Sequence, residues 1–263
     1  MLTQRLGLKW DSSYQKVKEV ASLLKIEHVL NQFPKELSNG QKQRTSLARS
    51  LISKPSVVLL DDPLRNVDAK IRFEMRLELP KVLKEFNTTV IYVTQDFREA
   101  MALGDRIAVL YDGKFNDINS PKSIYQNPSS LTTAKLFGDP TINNFNATIK
   151  KQNEFVEVDI KGEQIKLKRK TNVQDGECIV GIRPEDIILS NEPSENSIEV
   201  EFRTKTPLNL RIVFLVRLKN GLELLCSTTE EESQLIDENK KMYISFLEEK
   251  SHFFDKETKR NLE

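Results

Sequence analysis

The 263 residues carry a formal net charge of +1, with 38% hydrophobic and 30% charged side chains. This composition suits soluble domains with their own cores and provides no whole-molecule field for nucleic acid or an anionic membrane. The chain has two histidines and two cysteines, Cys178 and Cys226, without C-x-x-C spacing. That argues against a histidine-based metal or triad enzyme and favours two buried thiols in a reducing compartment.

In chain order, the first segment, "MLTQRLGLKWDSS", has no apolar block of signal-peptide length, so a cytoplasmic protein is expected. Val17, Val20, Leu23, Leu24 and Leu30 recur at roughly helical spacing. A second helix is predicted from about Gly40 to Ser53, stopped by Lys54-Pro55. The apolar run "SVVLL" from Ser56 reads as a buried strand. A long helix follows through "AKIRFEMRLELPKVLKEF", with Pro80 expected to kink or divide it. "TTVIYVT" from Thr88 is a second buried strand, "FREAMAL" a helix, and "DRIAVLYDGK" a strand running into an Asp-Gly turn. Such alternation predicts an α/β domain with a mostly parallel sheet covered by helices. Near Asp139-Pro140 the pattern changes to short strands: "EFVEVDIK", "EQIKLKR", "ECIVGIR", "SIEVEF", "RIVFLVRLK", "LELLC" and "MYISF". The expected organisation is therefore an α/β domain over 1–140 and a small all-β, OB-like barrel over 141–263.

The residues that carry chemistry lie in the first domain. Ser38 precedes the second helix, with Gln41 three residues later, which reads as a capping box. A sharper reading rests on Gly40, which keeps side chains away from the helix N-terminus. Free backbone N–H groups there, with the helix dipole behind them, can receive a phosphate. The strand "SVVLL" ends in the adjacent carboxylates Asp61 and Asp62. One can hold magnesium through water and the other can orient an attacking water, or the pair is a solvated Asp-Asp-Pro turn. "RNVDAK" follows at Arg65, and the second strand ends in Thr94, Gln95 and Asp96.

In this order and spacing the set resembles the ATPase subunits of ABC transporters, with a partial P-loop NTPase fold. "LSNGQ" (Leu37, Ser38, Asn39, Gly40 and Gln41) is similar to their signature, usually LSGGQ. "VVLLDDP" resembles the Walker B strand, "NVDA" the D-loop with Asp68, and "VTQD" the loop that usually carries the switch histidine. "GIRPED" at Gly181 and "SHFFDKETKRNL" at Ser251 resemble the TOBE barrel of importers for sugars, glycerol phosphate and related solutes. Lys259 stands where that family usually has glycine. The resemblance implies ATP and Mg2+ as cofactors, with Asp61 toward the metal, Asp62 and Gln95 catalytic, and Ser38 to Gln41 and Asp68 toward the nucleotide. It also implies transmembrane permease subunits, a second ATPase subunit, an extracytoplasmic solute-binding protein acting indirectly, and a peripheral place on the cytoplasmic face of the membrane. For the barrel it implies regulation and dimerisation.

Three departures from the family pattern bear on activity. Met1 to Glu36 hold a single glycine, Gly7, and no G-x-x-x-x-G-K-[ST] occurs in the 263 residues. Asp62 replaces the usual glutamate, one methylene shorter, and Gln95 replaces a histidine that can become cationic. The family's head-to-tail dimers place the signature against the partner's phosphate loop, whereas Walker B and the switch loop serve their own. The departures therefore fall on one half-site, and the expectation is a subunit that contributes the signature half to a partner and is inactive alone. A truncated reading frame, a split gene and a partial subunit all fit that pattern. A cassette without its Walker A strand is expected to expose sheet edges and apolar faces. The alternative is a catalytically dead regulatory or binding protein that uses the barrel. The basic run "KLKRK" from Lys166 lacks interleaved aromatics and reads as a solvated strand face rather than a nucleic-acid groove.

Overall fold

A computed structural model describes residues 10–53, 55–65, 69–85, 88–152, 155–168, 173–247 and 249–263. They fall into two compact units, 1–105 and 106–263, whereas the composition break lies at Asp139-Pro140.

In the first unit, helix α1 (Trp10–Leu23) and helix α2 (Asn39–Ile52) precede strand β1 (Val57–Asp61), followed by helix α3 (Ala69–Glu85), strand β2 (Thr89–Val93) and helix α4 (Phe97–Leu103). The helical periodicity of the sequence is visible in the core: Val20 and Leu24 of the first helical segment meet Leu47 and Leu51 of α2, Val58 and Leu60 of β1, and Met75 and Leu79 of α3. Strands β1 and β2 are parallel, in register from Val57 opposite Thr89 to Asp61 opposite Val93. Alternate residues of β1 are buried and exposed, so Val58 and Leu60 enter the core while Val57 and Leu59 face outward. Ile91 and Val93 of β2 are exposed as well. Helix α3 runs on through Pro80, so the proline does not divide it; it removes one backbone donor without ending the helix.

The second unit opens with a hairpin of β3 (Ile107–Tyr111) and β4 (Lys114–Asn119). Asp112 and Gly113 both have positive φ, 49° and 70°, the geometry that an Asp-Gly hairpin turn requires. Two short helices follow, α5 (Pro121–Gln126) and α6 (Leu131–Leu136), before a run of strands: β5 (Asn143–Gln152), β6 (Phe155–Ile160), β7 (Glu163–Lys168), β8 (Gly176–Ile182), β9 (Ile187–Ser190), β10 (Ile198–Leu208), β11 (Arg211–Arg217) and β12 (Glu223–Thr229). Helix α7 (Glu230–Gln234) separates these from β13 (Met242–Phe246) and β14 (His252–Phe254).

The strands form two five-stranded sheets, in the orders β12-β11-β10-β13-β9 and β14-β8-β5-β6-β7. This OB-like domain is thus built as two sheets around one core rather than as a closed ring of strands. Phe145, Val158, Val180, Phe214, Ile244 and Phe253 share that core with Cys178 and Cys226. Both thiols are free, and burial pushes them up to about 11 and about 12. Asn143 ties the sheets together: its amide donates to the Leu225 carbonyl and accepts from the Leu225 N–H, both at 2.8 Å. Of the basic run, Arg169 and Lys170 lie outside the described residues.

Candidate functional site

The N-terminus of α2 is capped as the sequence spacing predicts. Ser38 Oγ accepts from the Gln41 N–H at 3.3 Å, and the Ser38 N–H donates to Gln41 Oε1 at 2.8 Å. The Lys42 N–H donates to the Ser38 carbonyl. By position, the first-turn amides of Asn39 and Gly40 have no acceptor within the helix. Ser38 and Asn39 are exposed and Gly40 is buried. Gln41 is held further by His28, whose ring nitrogen lies 3.4 Å from its side-chain nitrogen.

The carboxyl end of β1 delivers the two aspartates in different ways. Asp61 is the last strand residue and is exposed. Asp62 has a left-handed φ of 43°, a conformation that aspartate tolerates better than most residues. Its N–H reaches across to the Val93 carbonyl at 2.8 Å, and its carboxylate lies 3.9 Å from Arg65 Nε. The chain thus turns sharply at the end of the parallel pair, where α/β sheets place their ligands.

Beside this turn, Asp62 and Gln95 line one cleft of about 350 Å³, together with Arg65, Arg72, Asp96, Phe97, Arg98 and Glu99. Asp96 caps α4 by accepting from the Arg98 N–H at 2.9 Å. Its other oxygen is paired with Arg76, which also approaches Glu99 at 3.8 Å. Glu99 is only 2% exposed and accepts hydrogen bonds from the Tyr92 and Thr94 hydroxyls, both at 2.9 Å. Burial first and this carboxylate second drive the Tyr92 phenol far above its ordinary value.

The structure therefore brings Asp62 and Gln95 together. Asp61 stands at the adjoining strand end, and Ser38 to Gln41 form a separate helix terminus. Asp68 lies outside the described residues. Sequence reading missed Arg72, Arg76, Arg98 and Glu99. The available signal was the pair of arginines four apart on α3, and an acid three residues after Asp96, which place charges on faces that turn toward each other.

Among the described residues no group of three His, Cys, Asp or Glu side chains is placed to hold a metal ion unaided. Magnesium bound with a nucleotide needs only one or two carboxylates, because phosphates supply other ligands. The exposed carboxylate of Asp61 fits that demand, and the paired, partly buried Asp62 is the less available of the two. Among the described residues no helix is long and apolar enough to cross a membrane.

Residues 2–65 match the ABC transporter family model, and residues 138–187 match the MalK OB fold domain. The trehalose/maltose import ATP-binding protein MalK of Thermococcus litoralis is 36% identical over 93% of this chain and 67% of its own length. The xylose/arabinose import ATP-binding protein XacK of Haloferax volcanii is 34% identical, over 98% of this chain and 67% of its own length. The sn-glycerol-3-phosphate import ATP-binding protein UgpC of Vibrio vulnificus is 34% identical over 94% and 65%. The chain thus spans about two thirds of these relatives. Similarity that runs through both units places the chain in the ABC transporter family of ATP-binding proteins, in the group that carries a MalK-type OB fold.

Proposed function

We propose that the chain is part of the ATP-binding machinery of a solute importer, and that its working contribution is the signature helix at Ser38 to Gln41. The observation that carries this reading is the helix terminus itself: capped by Ser38 and Gln41, with Ser38 and Asn39 exposed, the first-turn amides of Asn39 and Gly40 without an acceptor in the helix, and no side chain on Gly40. In a head-to-tail dimer that terminus faces the phosphate loop of the opposing subunit. The assignment of Ser38 to Gln41 therefore does not rest on a phosphate loop in this chain.

Bound ATP with magnesium would supply the energy of transport. The amides of Asn39 and Gly40 would stabilise negative charge on the γ-phosphate, and the helix dipole would add to them. Asp61 would offer its carboxylate to magnesium in this chain's own half-site. There Asp62 and Gln95 stand in for the family's glutamate and histidine. The shorter carboxylate sits roughly 1 Å farther from an attacking water, a displacement that costs rate heavily. The relatives are named for trehalose and maltose, for xylose and arabinose, and for sn-glycerol 3-phosphate. That supports a sugar, polyol or glycerol phosphate as the transported class. The partners on this reading are a second ATP-binding subunit and transmembrane permease subunits, with an extracytoplasmic solute-binding protein acting through them, at the cytoplasmic face of the membrane.

A second reading is a regulatory protein that binds through its OB-like domain, favoured by the substitutions at Asp62 and Gln95. The ATPase rate of the chain paired with a complete cassette subunit separates the two. A bulky charge, Gly40→Glu, is expected to abolish the pair's activity, whereas Asp62→Ala and Gln95→Ala are expected to change it little. No dependence on Gly40 favours the regulatory reading. A large loss from Asp62→Ala with little effect at Gly40 makes this chain's own half-site the working one.

A further inference from the structure

The first unit contains a closed circuit of side chains that the importer reading does not use. Glu99 Oε2 accepts from the Thr94 hydroxyl at 2.9 Å, and Thr94 Oγ1 in turn accepts from the Asp96 N–H at 3.0 Å. Asp96 pairs with Arg76 of α3, and the same guanidinium nitrogen lies 3.8 Å from Glu99 Oε1. The circuit runs from Glu99 through Thr94, Asp96 and Arg76 back to Glu99. Arg72, one helical turn before Arg76, approaches the same Glu99 oxygen at 4.0 Å. Gln95 sits between Thr94 and Asp96, exposed, at the apex of the loop so enclosed.

We propose that Glu99 is a positioning residue: through Thr94 and Arg76 it locks the Thr94–Asp96 loop, and with it Gln95, to helix α3. Three features set this apart from ordinary packing. Glu99 is an ionisable side chain 2% exposed, which is costly to bury unless its oxygens are used. Its hydrogen bonds go to β2 and to the loop that leaves it, and its charge partners lie on α3, so one carboxylate joins two elements that the backbone connects only through the full length of α3 and β2. Its hydroxyl partner Thr94 is oriented by that carboxylate to receive a loop amide, which makes the loop's shape depend on Glu99 at one remove. The loop and α3 then move as one piece, and a shift of Arg72 and Arg76 reaches Gln95 without crossing the sheet.

The test is amide hydrogen exchange on the full chain, read at Asp96 and, as a control, at Leu60 and Ile91 of the parallel pair, whose amides face the partner strand in this register. Glu99→Ala and Thr94→Val are expected to speed exchange at Asp96 on the order of tenfold, the weight of one hydrogen bond, and to leave the controls unchanged. The conservative replacements Glu99→Gln and Thr94→Ser keep an acceptor or a hydroxyl in place, and are expected to stay within about twofold of the native rate. If Glu99→Ala does not fold, the Thr94 pair decides. Unchanged exchange at Asp96 in Thr94→Val overturns the proposal. So does loss of protection at Leu60 and Ile91 in step with Asp96, since that describes a general structural role. Because no nucleotide takes part, failure of the importer reading appears in the paired ATPase assay and not here.

Discussion

Lys259 occupies a position with φ of 59°, the left-handed region that glycine enters freely and a lysine enters at a cost of about 1–2 kcal/mol. The resemblance to TOBE barrels leads one to expect glycine there. The strain is held by the turn around it: the Lys259 N–H donates to the Asp255 carbonyl at 3.0 Å, and Asp255 Oδ1 accepts from the Thr258 N–H and hydroxyl at 2.6 and 2.8 Å. Those bonds hold the Asp255 carboxyl below its ordinary range. Lys259→Gly is expected to raise stability by about 0.5–1 kcal/mol, partly offset by the freer unfolded chain, and a urea melt measures it. Tyr125 gives a pH signature of its own. Burial first, and the hydrogen bond its hydroxyl donates to Glu185 second, push the phenol up to about 12. The unfolded phenol titrates near about 10, so the folded state keeps its proton longer. Its contribution is whole below about pH 10 and is lost as pH rises towards about 12, because the native state then binds more protons than the unfolded one. Stability measured from about pH 9 to about pH 12 should fall, and Tyr125→Phe should flatten that slope.

Among the elements, β1 and β2 raise the sharpest question. A parallel pair is normally covered on both faces, yet Leu59 is 73% exposed and its neighbours Val57, Ile91 and Val93 are about half exposed. Leu59→Lys should leave the fold intact, since Leu59 makes no part of the core cluster, and should reduce self-association of the purified chain in light scattering. An increase or no change would show that this face is not the adhesive one. The elements were also the level at which the sequence was most readable. Apolar runs with turn residues at both ends located β1, β2 and most strands of the second unit, and Ser38 with Gln41 marked the start of α2. The strands missed were those whose pattern is short or interrupted: β4 has only Phe115 and Ile118 as apolar residues, β5 begins with two asparagines, β9 has four residues and β14 three. Helices α5 and α6 are six residues each, too short for periodicity to register. The motif residues of the candidate site were legible because they are adjacent in sequence. Glu99 and Arg76 were not, because their meaning lies in a contact across 23 positions of chain, made by a folded loop.

For the whole molecule, the placement of Arg183 decides where the chain divides. The residue is 3% exposed; its guanidinium donates to the Phe137 carbonyl at 2.5 Å and to the Tyr125 carbonyl at 2.6 Å, and stacks 3.6 Å from the Tyr125 ring centre. Leu131 and Ala134 of α6 share a core with Ile142, Ile179 and Phe254, and the Leu131 N–H donates to the Lys259 carbonyl. The composition break near Pro140 would sever all of these. A fragment beginning at Asn143 is therefore expected to melt well below one spanning 106–263, by several kcal/mol, since it leaves a buried guanidinium without its acceptors. Equal melting of the two fragments would show that the helices are ornaments. The consequence reaches beyond the test tube. A gene fusion that moves this OB-like module to another ATPase carries its buried contacts along only if the crossover falls before α5, so the inheritable piece is larger than the strands that define it.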